Sequence, residues 1–84
     1  MIDKNGKIYI YSQSESKLVQ DVMFGLGYYW AAGKKYKYLD ARYLAWGSYN
    51  RLLYGTSRSG FEANNKKEYT IEDFKMKRRY YDDK

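Results

Sequence analysis

The sequence predicts an α+β domain: one amphipathic helix packed on a sheet of four to five short, mostly antiparallel strands, with room for a short C-terminal helix. Three observations predict it. A Ser-capped stretch near the N-terminus carries apolar residues at helical spacing. Short Tyr-rich runs recur between Gly-containing turns, as strands of a small sheet do. No linker, repeat or low-complexity block interrupts the 84 residues, so one small domain spans 1–84 and ends in a basic tail over 75–84.

Residues 7–11 (KIYIY) alternate, which predicts a half-buried strand with Ile8 and Ile10 inward and Lys7, Tyr9 and Tyr11 on the opposite face. Ser12-Gln13-Ser14-Glu15 is a capping box, in which the Ser12 hydroxyl accepts from the Glu15 amide and Glu15 reaches back. Leu18, Val19, Val22, Met23 and Leu26 then form the apolar stripe of a helix, with Lys17, Gln20 and Asp21 on its wet side. Gly27 suits the left-handed residue that ends it. Residues 28–30 read as a strand start, Gly33-Lys34 as a turn, and 36–39 and 43–46 as short strands around Asp40-Ala41-Arg42. Gly47-Ser48 turns the chain into another short strand over 51–54, and 56–67 reads as a polar loop anchored by Phe61. Residues 68–71 fit an edge strand, while Thr70 followed by Asp73 also fits a helix start. Trp30 and Trp46 are assigned to the core.

Composition narrows the function. Twelve tyrosines and sixteen Lys/Arg share a chain of net charge +6 without histidine, cysteine or proline. That removes the usual general base near neutrality, the thiol nucleophile and the soft metal ligands, so a non-enzymatic protein without metal or cofactor is expected. The pairs Glu72-Asp73 and Asp82-Asp83 are adjacent in sequence and fit helix ends better than acid–base work. No GxxxxGK[ST] loop is present, and Gly25-x-Gly27 closes a helix instead of opening one. No apolar run approaches the roughly 18 residues of a membrane span, and the N-terminus lacks a signal-peptide layout; a cytoplasmic protein with no membrane contact is expected. Positive charge beside aromatic rings favours anionic partners: rings stack on bases while cations neutralise phosphates.

Several places could carry such contacts. In Lys34-Lys35-Tyr36-Lys37-Tyr38, a strand would put Lys35 and Lys37 on one face and the two rings on the other, either as a base-stacking edge or as a solvated Lys row beside core tyrosines. Tyr9 and Tyr11, with Lys7 aligned, form either a stacking platform or a self-association surface. Lys75, Lys77, Arg78 and Arg79, followed by Tyr80 and Tyr81, are the densest basic patch, and they equally suit a helix C-terminus. Arg42, Arg51 and Arg58 lie in or beside turns, where their planar forks could grip phosphate, Arg58 within a flexible Ser/Gly loop.

The order of these elements resembles that of small early and accessory proteins of tailed, T4-type bacteriophages. The likeness rests on a strand, a capped helix ending in Phe24-Gly25-Leu26-Gly27-Tyr28-Tyr29-Trp30, Lys/Tyr strands, and Thr70-Ile71-Glu72-Asp73-Phe74, over residues 7–74. The resemblance implies a non-enzymatic factor that neutralises a host defence protein, in the manner of inhibitors of the ToxN toxin endoribonuclease, which act together with RNA. It transfers no residue roles. RNA or an RNA-associated host protein is therefore the expected partner. A protein–protein inhibitor without nucleic acid, or a sponge for signalling nucleotides at a homo-oligomer interface, are the alternatives.

Overall fold

A computed structural model describes the backbone of residues 2–47 and 49–82, and side chains as far as residue 76. Strand β1 (Gly6–Tyr9) leads into helix α1 (Gln13–Gly25), then β2 (Tyr43–Trp46) and β3 (Leu53–Gly55). A short helix α2 (Arg58–Ala63), strand β4 (Glu68–Tyr69) and helix α3 (Ile71–Asp82) complete the chain. The four strands form one sheet in the order β3-β2-β1-β4. The β1/β2 and β2/β3 pairs are antiparallel, and β4 joins β1 in parallel. The α+β class, the single sheet and the short C-terminal helix agree with the sequence.

Local chemistry explains α1 at both ends. Ser12 Oγ accepts from the Glu15 amide at 3.2 Å, and Glu15 reaches back to the Tyr11 amide at 2.9 Å. At the other end Gly27 takes φ +94°, its N–H donates to Phe24 O, and the Tyr28 N–H donates to Met23 O. This is a Schellman closure, with the buried Tyr28 and Met23 as its apolar pair. For α3, the Asp73 carboxylate accepts from the Thr70 N–H at 2.9 Å, the start that the Thr70/Asp73 spacing predicts.

The sheet separates two layers. Ile8, Leu44, Trp46 and Tyr69 face α1 and α3, where Val19, Val22, Met23 and Phe74 complete the core, with Ile10 just beyond the end of β1. Both tryptophans are buried, as expected. Trp46 lies across Gly6: a Cβ at Gly6 would collide with the indole and stand 2.9 Å from the Tyr69 ring, so only glycine fits there. Lys7, Tyr9, Tyr43, Ala45 and Tyr54 face the other way, and α2 covers part of that surface with Phe61.

Four of the expected elements need correction. Residues 36–39 form no strand; Tyr38 takes φ +51°, which breaks any alternation. Residues 28–30 contribute only isolated bridges, Tyr29 with Leu52 and Trp30 with Gly33. The expected strand at 51–54 begins later, at Leu53, because Arg51 has φ +55°. The expected loop at 56–67 contains α2, capped by Ser57 Oγ accepting from the Gly60 N–H, with Phe61 as the anchor that was anticipated. Among the described residues no helix is long and apolar enough to cross a membrane.

Candidate functional site

The 28–41 segment is held to α1 by one side-chain amide. Gln20 is fully buried (0% exposed), not on the wet side of the helix. Its Oε1 accepts from Trp30 Nε1 at 2.9 Å and from the Lys37 N–H at 3.1 Å. Its Nε2 donates to Ser16 Oγ at 3.0 Å and to Lys37 O at 2.9 Å. Both donors and both lone pairs of the amide are used, so the group is buried without an orphan. Gln20 thereby meets both backbone groups of Lys37, as a neighbouring strand would, and leaves the Lys37 side chain in solvent.

The residues around that anchor are arranged accordingly. Trp30 and Gly33 exchange N–H···O bonds across a tight turn in which Gly33 has φ +119°. Tyr36 donates to Asp21 Oδ1 at 2.6 Å and lies 6.3 Å from the Phe24 ring. Tyr38 packs edge-on against Trp30 at 5.3 Å and remains 68% exposed. Between this segment and β3 runs an open cleft of about 570 Å³, with Trp30, Tyr38 and Tyr54 as its rings and Lys37 beside them. Lys34 and Lys35 extend the same exposed loop, and none of the three lysines forms an ion pair among the described residues.

The cleft also borders the outer edge of β3, which among the described residues is bridged by Tyr29 at one end and open at Gly55. The Thr56 N–H donates to Tyr43 O, which makes Ala45 and Tyr54 the next hydrogen-bonded pair. The backbone groups of Leu53 and Gly55 therefore point away from β2. Tyr29 O takes the Leu53 N–H, and Gly55 faces the cleft.

The other predicted site residues fall elsewhere. Lys7 is only 7% exposed and offers nothing to a phosphate. Because α2 packs over its face of β1, its ammonium donates to Phe61 O and to Asn64 O (3.2 Å) and lies 4.7 Å over the Phe61 ring. Those carbonyls close the C-terminus of α2, which has no basic residue of its own in its last turn. Arg51 does the same for α1: its Nη1 donates to Leu26 O at 3.3 Å while the guanidinium lies 5.8 Å from the Tyr28 ring centre. Arg42 donates to Tyr11 O at 2.8 Å, tying the chain before β2 to the end of β1.

Arg58 lies on α2, not in a flexible loop, and pairs with Glu62 at 3.5 Å. Lys75 pairs with Glu72 at 3.6 Å. Lys77, Arg78 and Arg79 lie on α3, and their side chains fall outside the described residues. Tyr9 and Tyr11 meet at 69°, not as a flat platform. The cluster that forms is thus Lys37 with Trp30, Tyr38 and Tyr54, and Lys34 and Lys35 are exposed earlier on the same loop. Of these rings only Tyr38 belonged to a predicted binding motif. Gln20 had one available signal: counting Ser16 as apolar makes Ser16, Val19, Gln20 and Met23 one buried stripe.

Burial raises the phenols of Tyr28 and Tyr69 above their ordinary value. The Arg51 guanidinium pulls Tyr28 partly back, and the Asp3 N–H bonded to the Tyr69 oxygen opposes its rise. Among the described residues no group of three or more His, Cys, Asp or Glu side chains clusters as a metal site would. No family model, curated protein or solved structure matches this chain.

Proposed function

We propose that this protein is a non-enzymatic binder of single-stranded RNA, acting in the host cytoplasm as a phage accessory factor against an RNA-associated defence protein. The observation that supports the binding most is the cleft: three rings, Trp30, Tyr38 and Tyr54, with Lys37 beside them and Lys34 and Lys35 exposed on the same loop, none of the three ion-paired among the described residues. A base entering between Tyr38 and Tyr54 would stack on a ring, and its flanking phosphates would meet Lys34, Lys35 and Lys37. Stacking of this kind contributes about 1–3 kcal/mol per base. The rings are held before any ligand arrives, Trp30 by Gln20 and Tyr38 by Trp30, so little ordering entropy opposes binding.

The defence setting rests on the likeness of layout to phage early proteins. The binding is tested by fluorescence anisotropy of nuclease-treated protein with labelled single-stranded RNA. Saturable binding that weakens at least about fivefold in Tyr38→Ala is expected, since one lost stack is worth at least about 1 kcal/mol. Flat anisotropy at low salt would refute it.

The free edge at Gly55 favours a second reading, a protein inhibitor that receives an extended strand of its target beside β3. Such a complex would survive nuclease digestion, whereas an RNA-bridged one would fall apart.

A further inference from the structure

On the sheet face opposite α1 and α3, the tyrosines stand as walls. Tyr9 lies 4.6 Å from Tyr11 at 69° and 5.2 Å from Tyr43 at 71°. Tyr43 meets Phe61 at 5.2 Å and 51°. Rings inclined like this cannot all stack on one flat base. They enclose an open concave corner of about 530 Å³, completed by Arg58, Glu62 and Glu68.

The charge here runs against the rest of the chain. The net charge is +6, yet the corner holds two carboxylates and one guanidinium, which is already paired with Glu62. Lys7, opposite Glu68 in the β1/β4 register, turns its ammonium to the α2 carbonyls instead. Glu68 makes no ion pair among the described residues. Each edge-to-face contact covers part of one ring face; the negative faces left to the corner suit a rounded, weakly hydrated cation, and a carboxylate at the rim supplies the opposite charge.

We propose that the Tyr9–Tyr11–Tyr43 corner binds an alkylammonium cation, with Glu68 as its counter-charge. The trimethylammonium group of a free choline-like molecule and that of a methylated lysine on a partner share this chemistry. The site is independent of the RNA reading: it uses other residues and the opposite sign of ligand charge.

The test follows the ring resonances of Tyr11 and Tyr43 by NMR during titration with choline, with its neutral tert-butyl isostere, and with a trimethyllysine peptide. Choline and the peptide are expected to shift these rings, and the neutral isostere is not. Tyr11→Ala removes a ring that is 69% exposed and outside the core, and Glu68→Gln removes only the charge. Each should weaken choline binding at least about threefold, while Tyr11→Phe keeps it. Peptide binding tenfold tighter than choline assigns the cation to a protein side chain, and equal affinity assigns it to a small molecule. Equal shifts with the neutral isostere, or no shift with either cation into the millimolar range, would overturn the proposal.

Discussion

A buried ammonium needs acceptors, and Lys7 finds them in the last carbonyls of α2. Arg51 supplies the corresponding charge to the end of α1 from a distant turn. Neither helix carries a basic residue in its own last turn, so both C-termini are completed by tertiary contacts. Lys7→Met should therefore cost about 1–3 kcal/mol in a urea melt, because Phe61 O and Asn64 O lose their donor. The same change should leave RNA affinity and its salt dependence untouched.

Tyr28 and Tyr69 contribute a loss of stability at alkaline pH. Their phenols keep their protons in the folded state to higher pH than in the unfolded chain, where they titrate near 10. Stability from this source is complete below that pH and falls as pH rises through it, because the unfolded state then binds fewer protons. Urea midpoints measured from about pH 9 to about pH 11 should show the fall, and Tyr69→Phe should make it shallower.

Elements with local signals were legible, and those organised by one distant side chain were not. The Ser12 capping box, the Gly27 closure and the Thr70/Asp73 start each depend on residues within a few positions, and each formed as the sequence implied. KKYKY has strand-like alternation, yet Gln20 supplies the backbone partners that a neighbouring strand would give, and Tyr38 takes a left-handed conformation. Nothing within the motif announces that. Helix α2 was hidden because six residues containing Gly60 have little helical propensity, and Phe61 packing holds the turn instead. Gln20→Leu should leave Trp30 Nε1 and both Lys37 backbone groups without partners. We expect a loss of about 2–4 kcal/mol and faster hydrogen exchange at the Lys37 amide. Gly6→Ala tests the sheet itself: the methyl group would meet Trp46 and Tyr69, and a cost of about 1–3 kcal/mol in thermal or urea melts is expected.

At the scale of the molecule, positive charge is divided between structure and surface. Lys7 and Arg51 close helices, Arg58 and Lys75 pair with acids on their own helices, and Arg42 holds the chain. Composition gave the sign of the charge but not this division, because which cations are consumed depends on how α2 and the turn before β3 pack. Lys37 remains exposed in the lining of the ring-lined cleft, and Lys34 and Lys35 are exposed on the same loop, which leaves these three for an anionic ligand. The most direct measurement is the salt dependence of single-stranded RNA binding for the natural chain and for Lys34/Lys35/Lys37→Ala. Each phosphate neutralised contributes about −0.7 to the slope of log K against log salt, so the triple variant should bind more weakly with a slope shallower by about 2. An unchanged affinity and slope would contradict the account and remove this loop from any role in binding nucleic acid.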